Sequence, residues 1–152
     1  MHLAFYQPEI PQNTGTIIRL CACLGISLDI IHPCGFIWQD RYLRRAGMDY
    51  MDIAIVHHHT NWKSFYQWVQ NESHRLVLLD TKAAVSYTDY AFKERDILLL
   101  GQESSGVPED IYHTIDERLS IPMVPYCRSL NVALAAAMVV GEGLRQLNSK
   151  KR

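Results

Sequence analysis

Three stretches of this sequence carry residues that could do chemistry. The first, PQNTGTIIRLCACLG over 11–25, runs from a polar, glycine-containing turn into an apolar helical pattern. One permanent cation, Arg19, stands there among Ile17, Ile18, Leu20 and Cys21, six residues after Asn13. Six residues place it in the second turn of the helix. A snorkelling or ion-paired arginine satisfies this pattern, and so does a cation at the rim of a ligand site.

The second stretch is GQESSGVP, residues 101–108. It has two glycines with four residues between them but lacks the Lys-Ser/Thr of a phosphate loop. Glu103 stands where a dinucleotide loop needs its second glycine, and a carboxylate there repels phosphates. A nucleotide-like ligand without phosphates, or one with positive charge, fits better. A plain turn leading to a helix start near Pro108, with Glu103 solvated, fits the spacing as well. The third stretch is IPMVPYCRSLN, residues 121–131, with two prolines that stiffen an extended segment. Ser129 reads as the N-cap of the helix that follows, and nothing in the sequence marks it as a nucleophile.

Other candidates have plainer readings. His57-His58-His59 resembles a metal cluster, but strand neighbours alternate faces, so a solvated strand end is expected and no metal. Arg41, Arg44 and Arg45 share one face of a short helix, either solvated or in contact with phosphates. The four cysteines contain no CxxC pair, and Cys21 and Cys23 point to different sides of a helix. Free buried thiols in a reducing cytosol are expected.

The elements that must position these loops alternate. Strands are expected at HLAFY, 27–32, MDIAIVH, 75–80, 96–101 and 118–123. Helices are expected at 13–25, about 39–46, WKSFYQWVQ and 129–147. Apolar strands without polar alternation, separated by helices, predict a parallel sheet flanked by helices on both faces, an α/β fold. In such sheets ligands bind outside the carboxyl ends of the strands. The loops at those ends, QPEIPQNTG (7–15), GQESSGVP and IPMVPYCRSLN, hold five of the six prolines and three of the eight glycines, so they are where a site is sought.

The totals set bounds. A chain of 152 residues suits one domain, 1–152, with a self-sufficient core. A net charge of −1 means that any nucleic-acid surface must be a local patch. No leader and no apolar run of the ~20 residues needed for a membrane span is read, so a cytoplasmic protein is expected. The helix 129–147 is apolar on nearly every side, which predicts burial all round or packing on a second subunit.

Taken together, PEIPQNTGTIIRL, LLLGQESSGVP and IPMVPYCRSLNVA resemble, in order and spacing, the three motifs of the SPOUT methyltransferases. RLVLLDTKA and DRYLRRAGMDY are similar to the short, single-domain branch of tRNA 2′-O-methyltransferases acting on the wobble nucleotide. The similarity covers roughly residues 2–147. It implies a C-terminal deep trefoil knot, S-adenosylmethionine as cofactor, and an active site shared across a homodimer. The cofactor-binding positions it implies are Leu79, Gly101, Glu103, Gly106, Ile121, Ser129 and Leu130. Asn13 and Arg19 become the catalytic counterparts near the methyl-accepting ribose. Arg19 then acts either as base or as a phosphate clamp that steadies developing charge. Arg41, Arg44, Arg45 and Arg128 become RNA contacts, with the tRNA anticodon loop as partner and cytidine or uridine 34 as target. Ser104-Ser105 and Gly141-Glu142 depart from relatives that carry a basic pair and a Tyr-Glu there. The rival readings are another RNA ribose and a non-catalytic RNA-binding protein of the same fold.

Overall fold

The computed structural model describes residues 1–39, 41–115 and 117–149. Seven strands form one parallel sheet: β1 His2–Tyr6, β2 Leu28–Ile31, β3 Val56–His59, β4 Arg75–Leu79, β5 Val85–Ser86, β6 Asp96–Leu100 and β7 Glu117–Ser120. Their spatial order is β3-β2-β1-β6-β4-β7-β5. The helices are α1 Pro11–Leu24, α2 Arg41–Gly47, α3 Trp62–Asn71, α4 Glu109–Thr114 and α5 Val132–Ser149. No helix among the described residues is long and apolar enough to cross a membrane.

The apolar strand runs place residues in two cores by their period of two. Leu3, Phe5, Leu28, Ile30, Leu98 and Leu100 face α1, α2 and α5. Ala4, Tyr6, Ile31, Ile97 and Leu99 face α3 and α4. Every residue of β6 is buried, as a central strand covered on both faces requires. Asp96 at the start of β6 is buried too, and the Arg75 guanidinium of β4 grips it at 2.7 and 2.9 Å. That ion pair fixes the β4–β6 register at its amino end.

Local chemistry explains most boundaries. Pro11 opens α1, where its missing N–H costs nothing. Gly25 closes that helix at φ +64°, its N–H directed to the last turn. Asn61 and Ser64 form a capping box on α3. The long C-terminal helix starts later than Ser129. Asn131 caps it, its Oδ1 accepting N–H bonds from Ala133 at 2.9 Å and Leu134 at 3.4 Å. Ser129 therefore stays in the loop.

Two expected strands shift. Met51 and Asp52 lie in a 3₁₀ turn, Met48–Asp52, whose exit bonds Ile53 and Ala54 to the Tyr50 carbonyl, so β3 begins only at Val56. The histidines thus lie within the strand: His58 bonds His32 at 2.8 Å while His59 bonds the buried Asp29 at 2.9 Å. The last strand stops at Ser120, since Pro122 has no N–H for a ladder. The short strand β5 was not anticipated, whereas α4 begins at Glu109, beside the helix start near Pro108 that the sequence allowed. Of the thiols, Cys21 is buried and Cys34 half-buried, while Cys23 and Cys127 are exposed, which corrects the expectation of buried thiols throughout. Burial, helped by the charge of Asp29, pushes the Cys21 thiol up to about 12.

The helix pair α1–α2 depends on Gly15. A Cβ there would lie 2.6 Å from the Leu43 carbonyl oxygen and 2.7 Å from the Ala46 Cβ. Gly15→Ala is expected to cost about 1–3 kcal/mol through overpacking, read as a lowered denaturant midpoint with unchanged slope. An unchanged midpoint would show that α2 can retreat freely.

Candidate active site

A cleft of about 800 Å³ opens over the carboxyl ends of β4, β6 and β7. All seven positions expected to hold a cofactor line it: Leu79, Gly101, Glu103, Gly106, Ile121, Ser129 and Leu130. Asn13 and Arg128 line it as well. The three loops, far apart in sequence, meet here because parallel strands deliver their carboxyl ends to one rim.

The GQESSG loop is a small closed hairpin. Gln102 and Gly106 exchange N–H···O bonds of 2.8 and 3.0 Å. Gly106 sits at φ +69°, where a side chain is strained. A Cβ on Gly101 would lie 2.6 Å from the Gly106 backbone. Both glycines are therefore demanded by the turn, and Ser105 braces it with a 2.8 Å bond to the Gln102 amide oxygen.

Two carboxylates tie this hairpin to the first loop. Glu103 accepts the N–H groups of Glu9 at 2.9 Å and Ile10 at 3.0 Å. Glu9 in return accepts the Ser104 N–H and hydroxyl, both at 2.8 Å. Glu103 therefore borders the cleft with both oxygens engaged by backbone. The third loop is tied in by Asn131, whose amide donates to the Asn13 Oδ1 at 2.9 Å. Sequence reasoning missed Glu9 and Asn131. Asn131 could have been found, since it directly precedes the helix it caps.

The cleft's wall chemistry tests what it can hold. Leu78, Leu79, Leu100, Ile121, Leu130 and Val132 supply apolar surface. Its charged lining is Asp80, Glu103 and Glu109 against Lys82 and Arg128, an excess of one negative charge. A ligand with an apolar ring system, no phosphate and a positive centre suits that wall. S-adenosylmethionine has those properties.

Arg19 lies elsewhere. It is exposed on α1, with its Nη1 donating to the Met48 sulfur at 3.2 Å and its guanidinium 5.0 Å from the Tyr50 ring centroid. It is not part of the cleft wall within one chain. Arg41, Arg44 and Arg45 are exposed together on α2, outside the cleft. Arg19 on α1 and Arg41, Arg44 and Arg45 on α2 are thus all exposed cations outside the cleft.

The comparisons agree with this geometry. The model of the SpoU rRNA Methylase family matches residues 1–141. A protein of Beijerinckia indica named tRNA (cytidine(34)-2′-O)-methyltransferase is 54% identical over 147 residues, 97% of this chain and 92% of its own. An Escherichia coli K12 protein of the same name is 40% identical over 149 residues, covering 97% and 94%. A solved structure described as giving insight into the 2-OH methylation of C/U34 on tRNA superposes with a TM-score of 0.93 at 37% identity, covering 97% and 96%. The methyltransferase AviRb of Streptomyces viridochromogenes, solved with AdoMet, has a TM-score of 0.90 at 26% identity, covering 98% of this chain and 61% of AviRb. With its rim loops joined into one cleft and a family match running almost end to end, this chain belongs to the SpoU rRNA methylase family.

Proposed function

We propose that this chain is a methyltransferase that moves a methyl group from S-adenosylmethionine to the ribose 2′-hydroxyl of nucleotide 34, cytidine or uridine, in tRNA. The observation that carries the reading is the cleft assembled from the three rim loops, in a chain 40–54% identical to relatives named for that reaction. Residues 1–152 serve as one domain, with 121–131 threading the family's trefoil knot. A tRNA substrate sets the work in the cytoplasm.

Bound S-adenosylmethionine supplies an electrophilic methyl group on a sulfonium. The chain's own task is alignment of an in-line attack. Leu79, Ile121 and Leu130 give the cofactor its apolar seat, and Gly101, Gly106 and Ser129 let the backbone come close. Asn13, held by Asn131 at the mouth of the cleft, orients the ribose hydroxyl. Arg19 acts as a clamp and not as a base, since a guanidinium offers donors and no acceptor. It clamps the neighbouring phosphate and steadies negative charge on the attacking oxygen, whose proton passes to solvent water. Arg128 at the cleft and Arg41, Arg44 and Arg45 on α2 hold flanking phosphates.

A homodimer accounts for two features of one chain. Arg19 stands outside the cleft that it would have to serve. Helix α5 also leaves Leu134 60% exposed and Met138 42% exposed, with Gly141 next on the same stripe. Val124 and Leu130 of the third loop add 69% and 40% exposed apolar side chains. A second copy covering this surface removes an aggregation-prone patch. Ala136 by contrast is fully buried in the core of its own chain.

The direct test is incubation with total tRNA and isotope-labelled cofactor, followed by nuclease digestion and mass spectrometry. The expected product is 2′-O-methylcytidine or 2′-O-methyluridine at position 34. Label on a base, or on a ribose outside the anticodon loop, would refute the assignment. For the dimer, Leu134→Arg is expected to shift sedimentation at micromolar concentration toward monomer while the thermal midpoint stays near that of the parent. An unshifted dimer would place the interface elsewhere.

A further inference from the structure

A second hollow, of about 420 Å³, opens between the first turn of α1 and helix α2. Gln12, Tyr42, Arg45 and Ala46 line it. Gln12 directly precedes Asn13, so the hollow and the cleft share one turn of α1. Close packing at Gly15 seats α2 on α1 and makes the floor rigid.

The walls have the chemistry of a nucleobase site. Tyr42, a residue 40% exposed, offers aromatic surface, the Gln12 side chain offers both a donor and an acceptor, and Arg45 offers a guanidinium. Arg41 braces the tyrosine: its Nη2 donates to the Tyr42 hydroxyl at 2.9 Å and its guanidinium lies 4.8 Å from the ring centroid. Three arginines on a seven-residue helix disfavour an apolar protein partner and favour a polyanion. RNA loops present unstacked bases beside such charges, and aromatic rings take them by stacking.

We propose that this hollow receives an unstacked base of the RNA loop adjacent to the nucleotide being methylated, with Tyr42 as the stacking surface and Gln12 reading the base edge. The assignment rests on the tRNA reading above. It gives the departures at Ser104 and Ser105 a counterpart, since grip on the RNA comes here from α2.

The test uses the full chain, Tyr42→Ala and Tyr42→Phe, with tRNA and with anticodon stem-loops carrying an abasic nucleotide at each loop position flanking 34. Tyr42→Ala is expected to raise the KM for tRNA about tenfold, the size lost with one base–aromatic stack, with kcat changed far less. Cofactor affinity and thermal midpoint should hold, and Tyr42→Phe should restore most of the lost affinity. At one abasic position the parent protein should show the same rise in KM, and Tyr42→Ala should add nothing to it. An unchanged KM in Tyr42→Ala, or penalties that multiply at every position, would overturn the proposal. So would an effect confined to sedimentation, which would make the surface a subunit contact. Fluorescence anisotropy of the same stem-loops separates the two claims. Binding that weakens in Tyr42→Ala while the parent transfers no methyl would keep the base site and remove the methyltransferase reading.

Discussion

The reciprocal clasp between Glu9 and the 103–104 pair decides how this molecule can work. Each carboxylate accepts two donors from the opposite loop, over distances of 2.8–3.0 Å. Hydrogen bonds to charged groups contribute roughly 1.5–3 kcal/mol apiece, enough to make two separate loops one body. The 101–106 hairpin and the start of α1 then move together. The Asn13–Asn131 bond adds the third loop, and Asn131 is itself fixed as the cap of α5. The cleft is thus a joined ring of three strand exits, and preorganisation of this kind is what an alignment-driven displacement needs.

The same rigidity explains where the cations fall. With the first turn of α1 locked at the cleft, the third turn carries Arg19 away from it, toward Met48 and Tyr50. Gly15 draws α2 against the same helix, and Arg41, Arg44 and Arg45 lie outside the cleft as well. One chain therefore presents the cleft and Arg19 as separate features. Under the proposed homodimer, each cleft is completed by Arg19 of the other copy, and α5 supplies the apolar contact.

Much of this was legible in the sequence. The unbroken apolar runs at Leu76–Leu79 and Ile97–Leu100 announced buried parallel strands. The prolines and glycines pointed to three loops that meet in space, and the cofactor positions carried over from the resemblance all line one cleft. What the sequence hid was tertiary. Glu9 and Glu103 lie 94 residues apart, and nothing local marks them as partners. Ser129 and Asn131 are both good N-cap residues, and only the position of the first helical turn at Val132 decides between them. Met51–Ile55 has strand-like composition, yet the turn bonds at Tyr50 take the backbone groups that a ladder would use. Periodicity gave the face of α1 that carries Arg19, but periodicity carries no information about which subunit's cleft that face meets.

That last point is open to one direct measurement, mixing of inactive subunits. Arg19→Ala removes the cation but leaves its own cleft, and Gly101→Ala spoils the cleft but leaves the cation. If the site is shared across a two-fold dimer, each variant alone is inactive, and exchange of equal amounts restores about a quarter of parental activity, since half the dimers are mixed and each has one intact site. Activity that stays at the level of the separate variants, with mixed dimers verified by mass, would place Arg19 and the cleft it serves in the same chain and contradict the shared site.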